Sequence, residues 1–120
     1  MARYGNGNGR LSATRPVDWA EALRRAAKVD ANQTEIIRAY RRMGCKVYPT
    51  HMVGGDCPDL VVCKYGLTWT CEIKSGNNKP SEGQMDFAEN CQGSHFIVRD
   101  LGGVELSVAA MRDKAERMRP

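Results

Sequence analysis

Apolar residues recur along this 120-residue chain at two spacings, one typical of helices and one typical of strands. The clearest helix begins at the candidate N-cap Asp30 and ends before Gly44, with apolar residues at helical spacing between them. The pattern predicts helices over 19–29, 30–43, 81–91 and 108–118, and strands over 45–51, 60–63, 68–73, 95–99 and 104–106. This order indicates an α/β fold with a mixed sheet.

The first fifteen residues, MARYGNGNGRLSATR, have no apolar period and are rich in glycine and asparagine. Such a composition is typical of flexible segments. The sequence therefore predicts a flexible N-terminal arm over 1–15, followed by one folded domain over 16–120.

The two central β-prone runs form a predicted hairpin with Tyr65 and Gly66 as its turn. In that register Asp59 faces Glu72, and because side chains alternate along a strand, Lys74 emerges on the same face. A one-residue slip would separate the two carboxylates. The opposite face gathers six residues of the predicted core: Leu60, Val62, Leu67, Trp69, Cys71 and Ile73.

Two carboxylates opposed across a hairpin lie about 4.5–5.5 Å apart at Cβ. Like charges at that distance need a shared proton or a cation, and oxygen ligands suit Mg²⁺ or Mn²⁺. Lys74 beside them can orient or deprotonate a water and stabilise the charge of a phosphate, which is what phosphodiester hydrolysis requires. The alternative is a solvent-facing strand of alternating charge, which would also give the triplet Glu72-Ile73-Lys74.

The chain is mildly basic, with a formal net charge of +4 and a pI near 8.9. The arginines concentrate in the first third of the chain, which suits a polyanionic partner or simply solvates two helix faces. No apolar run is long enough to span a membrane and no signal-peptide pattern begins the chain, so we expect a cytoplasmic protein. Five cysteines without a Cys-x-x-Cys pair predict reduced, mostly buried thiols and no structural zinc site.

Several ordered motifs resemble those of known nucleases. Pro58-Asp59-Leu60 followed by Glu72-Ile73-Lys74 is similar to the PD-(D/E)XK motif of restriction-endonuclease-like nucleases. The surroundings resemble the VRR-NUC-type and phage Holliday-junction-resolvase-like nucleases. Three features carry that narrower resemblance: an acidic residue on an early helix (Glu35), a glycine-containing loop before the first motif (54–60), and a Pro-Ser loop leading into a helix with a glutamine (Lys79-Pro80-Ser81 and Gln84).

The resemblance implies a restriction-endonuclease-like core, a mixed central sheet flanked by helices in one domain. It implies that Asp59, Glu72 and the main-chain carbonyl of Ile73 bind Mg²⁺ or Mn²⁺ and that Lys74 handles the attacking water. Glu35 would complete the acidic cluster, and Gln84 would support the site or the phosphate. Asp56-Cys57 departs from the expected glycine-rich approach to the motif and leaves the ligand set open at Asp56.

Two of these roles have a plainer alternative. Glu35 could be an exposed glutamate of an amphipathic helix, and Gln84 could only cap its helix. Lys79, Arg38 and Arg42 are the candidates for sequence-independent contact with phosphates.

The leading hypothesis is thus a Mg²⁺-dependent endodeoxyribonuclease. The resemblance implies branched or structured DNA as its substrate and a phage or prophage origin, and the small size of the chain suggests a homodimer. The competing hypothesis is a non-catalytic nucleic-acid-binding subunit of a phage replication or recombination assembly on the same scaffold. A structural protein with solvated hairpin acids is a third reading.

Overall fold

The computed structural model describes residues 18–120, with the backbone alone at 22 and 25–30, so the predicted arm over 1–15 lies outside the described residues. A 3-10 turn, His51–Val53, lies between the first two strands. The helices and strands follow in the order α1 (Trp19–Arg42), β1 (Lys46–Pro49), β2 (Leu60–Lys64), β3 (Leu67–Ile73), α2 (Glu82–Asn90), β4 (Ser94–Val98) and α3 (Leu101–Arg117).

Helix α1 is continuous where the sequence pattern predicted two helices, so the prediction of an N-cap at Asp30 is wrong. No glycine or proline interrupts residues 19–42, and an aspartate inside a helix costs well under about 1 kcal/mol relative to alanine. The cap is Asp18, whose side chain accepts a hydrogen bond from the backbone N–H of Glu21 at 3.1 Å. The predicted stop is confirmed: Gly44 adopts φ +85° directly after the helix, a conformation that glycine reaches without strain.

The four strands form one mixed sheet in the order β1-β2-β3-β4. The first three strands are antiparallel neighbours, and β4 runs parallel to β3. The predicted hairpin register is confirmed, since Leu60 pairs with Cys71 and Lys64 with Leu67 around the turn at Tyr65 and Gly66. The α/β class and the mixed sheet are therefore as the sequence predicted.

Helices α1 and α3 pack on one face of the sheet and build the core with it. The predicted core face of the hairpin is buried there, with Leu67 and Ile73 partly buried at its margin. The shorter helix α2 contacts the other face, where Phe87 meets His95 edge-on at 5.0 Å between ring centroids. The buried hydrophobic residues are Ile36, Ala39, Tyr40, Cys45, Val47, Leu60, Val62, Trp69, Cys71, Val98, Val104, Val108 and Met111.

Residues 104–106, predicted as a strand, lie in helix α3, and that prediction is wrong. Asp100 caps the helix by accepting a hydrogen bond from the N–H of Gly103 at 2.9 Å, so the helix begins earlier than the predicted position 108. Gly103 is small for a packing reason, because an added Cβ would lie 3.2 Å from Cγ1 of Val98. Gly103 thus allows the close contact between the start of α3 and β4.

All five cysteines are free thiols, as predicted, but only Cys45 and Cys71 are buried. Burial raises the pKa of the Cys71 thiol to about 11. Across residues 18–120 we find no helix that combines the length and the apolar character needed to cross a membrane.

Candidate active site

Asp59 is held in place by its backbone and by its carboxylate. Its N–H donates to the carbonyl of Cys71 at 2.9 Å, and its carbonyl accepts from the N–H of Thr50 at 2.8 Å. Its side-chain Oδ2 accepts from the N–H of Ile73 at 2.8 Å. This contact fixes the orientation of the carboxylate and leaves Oδ1 for another partner.

Glu72 lies on β3 and is only 4% exposed, although it carries an ionisable group. Its Oε2 accepts a hydrogen bond from Nε2 of Gln84 at 2.8 Å and lies 3.9 Å from Nζ of Lys74. Burial, and then the neighbouring Asp59 carboxylate, raise the pKa of Glu72 to about 7, against the opposing effect of Lys74. The two carboxylates of Asp59 and Glu72 therefore favour binding of a proton or of a cation that neutralises their charge.

Gln84 combines the two roles that the sequence left as alternatives. Its Oε1 accepts from the N–H of Ser81 at 2.9 Å while the Ser81 hydroxyl accepts from the N–H of Gln84, which is a capping box at the start of α2. Its other end, Nε2, donates to Glu72. A glutamine fits this position because its amide offers an acceptor to the helix and a donor to the carboxylate at once.

A cleft of about 200 Å³ opens over this cluster. Arg99 holds the loop that forms one wall, because its guanidinium donates to the carbonyls of Gly76 and Asn78 at 3.0 and 2.7 Å. On the α1 side, Nδ2 of Asn32 donates to the hydroxyl of Ser75 at 3.3 Å. The lining residues are Gln33, Asp59, Glu72, Ile73, Lys74, Ser75 and Asn78.

The structure does not place Glu35 at this cleft. Glu35 is exposed on α1, and it is three and seven residues from Arg38 and Arg42, so it shares their face of the helix. Gln33 is the α1 residue that lines the cleft instead. Among the described residues, no three acidic, histidine or cysteine side chains come together as a metal-binding group. The suggested role of Glu35 in the acidic cluster stays a prediction that its placement does not support.

The other predicted residues lie outside the lining of the cleft. Lys79 follows Asn78 in its wall and is exposed, as are Arg38 and Arg42 on α1. Asp56, the open position, is exposed, and its carboxylate lies against Gly83 in the first turn of α2. It is close enough to contribute to the raised pKa of Glu72, yet it does not line the cleft.

For the DNA cleavage that the sequence predicts, Asp56→Asn is expected to keep the rate within about threefold of the wild type, because an exposed charge outside the cleft is largely screened by solvent. The rate of DNA cleavage under single-turnover conditions measures this. A loss comparable to that of Asp59→Asn would make Asp56 a metal ligand.

The donor set at the cleft fits a hard divalent cation. Mg²⁺ usually binds proteins through one or two carboxylates and keeps several waters, so Asp59 and Glu72 with an adjacent backbone carbonyl are sufficient. The pKa of Glu72 is raised because its negative charge is buried and is not fully neutralised by a neighbouring positive charge. Lys74, 3.9 Å away, offsets it only in part.

The fold has a solved counterpart. A chain described as "VRR_NUC domain" superposes on this protein with a TM-score of 0.56 at 22% sequence identity, and the match covers 67% of this chain and 92% of that chain. This chain has the fold of a VRR_NUC domain. The predicted restriction-endonuclease-like architecture is thereby confirmed. No family model matches the sequence, and no curated protein matches it.

Sequence reasoning missed part of the cleft of this VRR_NUC-like fold, namely Gln33, Ser75 and Asn78. Ser75 and Asn78 lie in the polar loop directly after the second motif, and that position was the available signal. The sequence contained no signal for Gln33, because its side chain reaches the cleft only through the packing of α1 against the sheet.

Gln84→Glu is expected to lower cleavage about 10- to 100-fold, a size typical of residues that support a metal ligand. The substitution keeps the acceptor of the capping box but replaces the donor to Glu72 with a third carboxylate, which raises the pKa of Glu72 further. Single-turnover cleavage and thermal unfolding measure the two effects separately.

The control is Ser81→Ala, which removes only the cap. We expect it to cost about 1 kcal/mol of stability with little loss of cleavage. Equal cleavage by Gln84→Glu and the wild type would show that the hydrogen bond to Glu72 has no part in the reaction.

Proposed function

We propose that this protein is a divalent-metal-dependent endonuclease that hydrolyses phosphodiester bonds in DNA. The observation that carries the proposal is the cluster of Asp59, Glu72 and Lys74 in a solvent-accessible cleft, with Glu72 buried and held by a hydrogen bond. A likeness in fold to a VRR_NUC domain supports it.

Asp59 and Glu72, with the main-chain carbonyl of Ile73, would hold the cation. When bound, Mg²⁺ or Mn²⁺ supplies Lewis-acid chemistry, which polarises the phosphate and favours a nucleophilic water.

The side chains of this chain orient the reactants. The N–H of Ile73 keeps the Asp59 carboxylate in one rotamer, and Gln84 does the same for Glu72. Lys74 reaches the cleft beside Glu72, where its ammonium group can hydrogen-bond the attacking water and stabilise the negative charge that grows on the phosphate. Attack by water forms a new bond to phosphorus as the bond from phosphorus to the leaving sugar oxygen breaks; the water gives up a proton to solvent, and the leaving oxygen takes one up from solvent to become a hydroxyl group.

We further propose that the substrate is branched or otherwise structured DNA and that two copies of the chain act together. Both points rest on the resemblance of the motifs and on size, since a small chain presents little surface for reading a long sequence. A second copy would allow two arms of a branched substrate to be held at once.

The test incubates the protein with four-way-junction, flap and linear duplex DNA in Mg²⁺, in Mn²⁺ or in EDTA. We expect cleavage in either metal, none in EDTA, and loss of cleavage in Asp59→Ala and Lys74→Ala. The matched control is Glu105→Gln, which removes an exposed charge on α3 and should leave cleavage unchanged.

Two results would overturn parts of the proposal. Binding of these DNAs without cleavage in either metal would favour the non-catalytic subunit. Metal-dependent cleavage that survives Asp59→Ala would place the active site elsewhere in the chain.

A further inference from the structure

Two further depressions lie beyond the active-site cleft along the junction of α1 and β1, and together we call them the groove. Next to the cleft lies a depression of about 430 Å³, which shares Gln33 with it and is also lined by Ile37 and His51. A third depression of about 300 Å³ follows, lined by Arg41 and Lys46 among others. Three of the α1 residues that line these depressions, Gln33, Ile37 and Arg41, are spaced four apart, so they form one row on the helix.

The far end of this groove is basic and partly preorganised. Nη2 of Arg41 donates to the carbonyl of Val47 on the edge strand β1 at 3.3 Å, which fixes the guanidinium at the strand and leaves further N–H donors available. Lys46 is exposed on the same strand. In the part of the chain that the structure describes, no aspartate or glutamate lines either depression beyond the cleft.

A hydrogen-bonded pair marks the passage between the cleft and the groove. Nε2 of Gln33 lies 2.6 Å from Nδ1 of His51. With the glutamine amide donating and Nδ1 accepting, the other ring nitrogen of His51 carries the proton and is a donor. His51 is exposed, so its side chain is accessible to a ligand in the groove.

We propose that this groove binds the sugar-phosphate backbone of the DNA strand that continues from the scissile phosphate. This inference rests on the proposed nuclease function, which places the scissile phosphate in the cleft. The positive charge of the groove is what indicates a phosphate backbone as its ligand. His51 contacts the phosphate nearest the cleft, and Arg41 and Lys46 contact phosphates farther along. These contacts fix the position of the strand without reading its sequence.

The length of the groove agrees with this occupant. Gln33 and Arg41 are eight residues apart on α1, which is about 12 Å along the helix axis. Stacked DNA advances about 3.4 Å per nucleotide along one strand. The groove therefore spans three to four nucleotides beyond the active-site cleft.

The test measures the affinity of the full chain for a fluorescent four-way junction and a linear duplex in EDTA, as a function of salt. Each lost phosphate contact is expected to lower the slope of log affinity against log salt by about one. We expect that change in Lys46→Ala and in Arg41→Gln, which retains a donor for the Val47 carbonyl. Arg117→Ala, an exposed position on α3, is the charge-matched control and should keep the wild-type slope.

A second readout locates the contact on the DNA. A single uncharged methylphosphonate linkage, placed three or four nucleotides from the cleavage position, should weaken binding by the wild type and have no further effect on Lys46→Ala. Wild-type slopes in both groove variants, or equal changes in Arg117→Ala, would overturn the groove as a strand-binding site. Because binding is measured in EDTA, absence of cleavage in metal would refute the nuclease and not this assignment.

Discussion

Glu72→Gln is expected to abolish metal-dependent cleavage and to stabilise the metal-free fold at the same time. Loss of a carboxylate ligand should lower the rate about a thousandfold or more, comparable to the removal of a group that stabilises charge in the transition state. The same substitution removes a negative charge that is buried at 4% exposure beside Asp59. Activity and stability therefore change in opposite directions.

The stability effect depends on pH in a defined way. The pKa of Glu72 is about 7 in the folded protein and near 4.5 in the unfolded chain, so the folded state binds the proton more tightly. The contribution of this group to stability is fully present below pH 4.5 and is lost as the pH rises through 7. The difference between these pKa values corresponds to about 3 kcal/mol.

Chemical unfolding of both proteins at pH 8 and at pH 4 in EDTA measures this effect. We expect Glu72→Gln to be more stable than the wild type by about 2–3 kcal/mol at pH 8, with the advantage gone at pH 4. Glu72 is hydrogen-bonded to the side chains of Gln84 and Asp59, and the introduced amide can keep both contacts, since its oxygen can accept from Gln84 and its nitrogen can donate to Asp59. A variant less stable than the wild type at pH 8 would contradict the account of a destabilising buried charge.

Lys74→Met is expected to abolish cleavage without weakening metal binding. Loss of the ammonium group should lower the rate about 100- to 1000-fold, because that group stabilises charge that develops on the phosphate. The metal should bind at least as tightly, since the cation that partly neutralises Glu72 at 3.9 Å is gone. At pH 8 without metal the variant should be at most about 1 kcal/mol less stable than the wild type, because the ion pair is long and partly exposed; this is opposite in sign to Glu72→Gln.

Calorimetric titration with Mn²⁺ and single-turnover cleavage distinguish these effects. Weaker Mn²⁺ binding in Lys74→Met would mean that the lysine organises the carboxylates, and near-normal cleavage would remove it from the reaction.

The hairpin register was predictable because one turn and one apolar face fix it together. Tyr65 and Gly66 set the pairing, and any slip would expose Trp69 and Cys71 to solvent. Asp59 and Glu72 follow from that register, and their side chains do meet across the end of the hairpin. Local chemistry thus sufficed for the centre of the site.

The boundary of the site depends on packing that no local pattern contains. Asp30 resembles a helix cap, yet α1 continues through it, which removes the predicted break between two helices. Glu35 matched the motif but lies on the exposed face of that helix, and Gln33 faces the cleft. The dual role of Gln84 also depends on tertiary structure, because the sequence indicates the capping box but not the carboxylate at the other end of the amide.

The central claim is that Asp59 and Glu72 form a metal site that hydrolyses DNA. The most direct measurement is the single-turnover rate of four-way-junction cleavage as a function of Mn²⁺ concentration, for the wild type and for Asp59→Asn. We predict a rate that rises and saturates with Mn²⁺ in the wild type and stays at background in Asp59→Asn at every concentration. Equal rates in the two proteins, or wild-type cleavage that persists in EDTA, would contradict the claim.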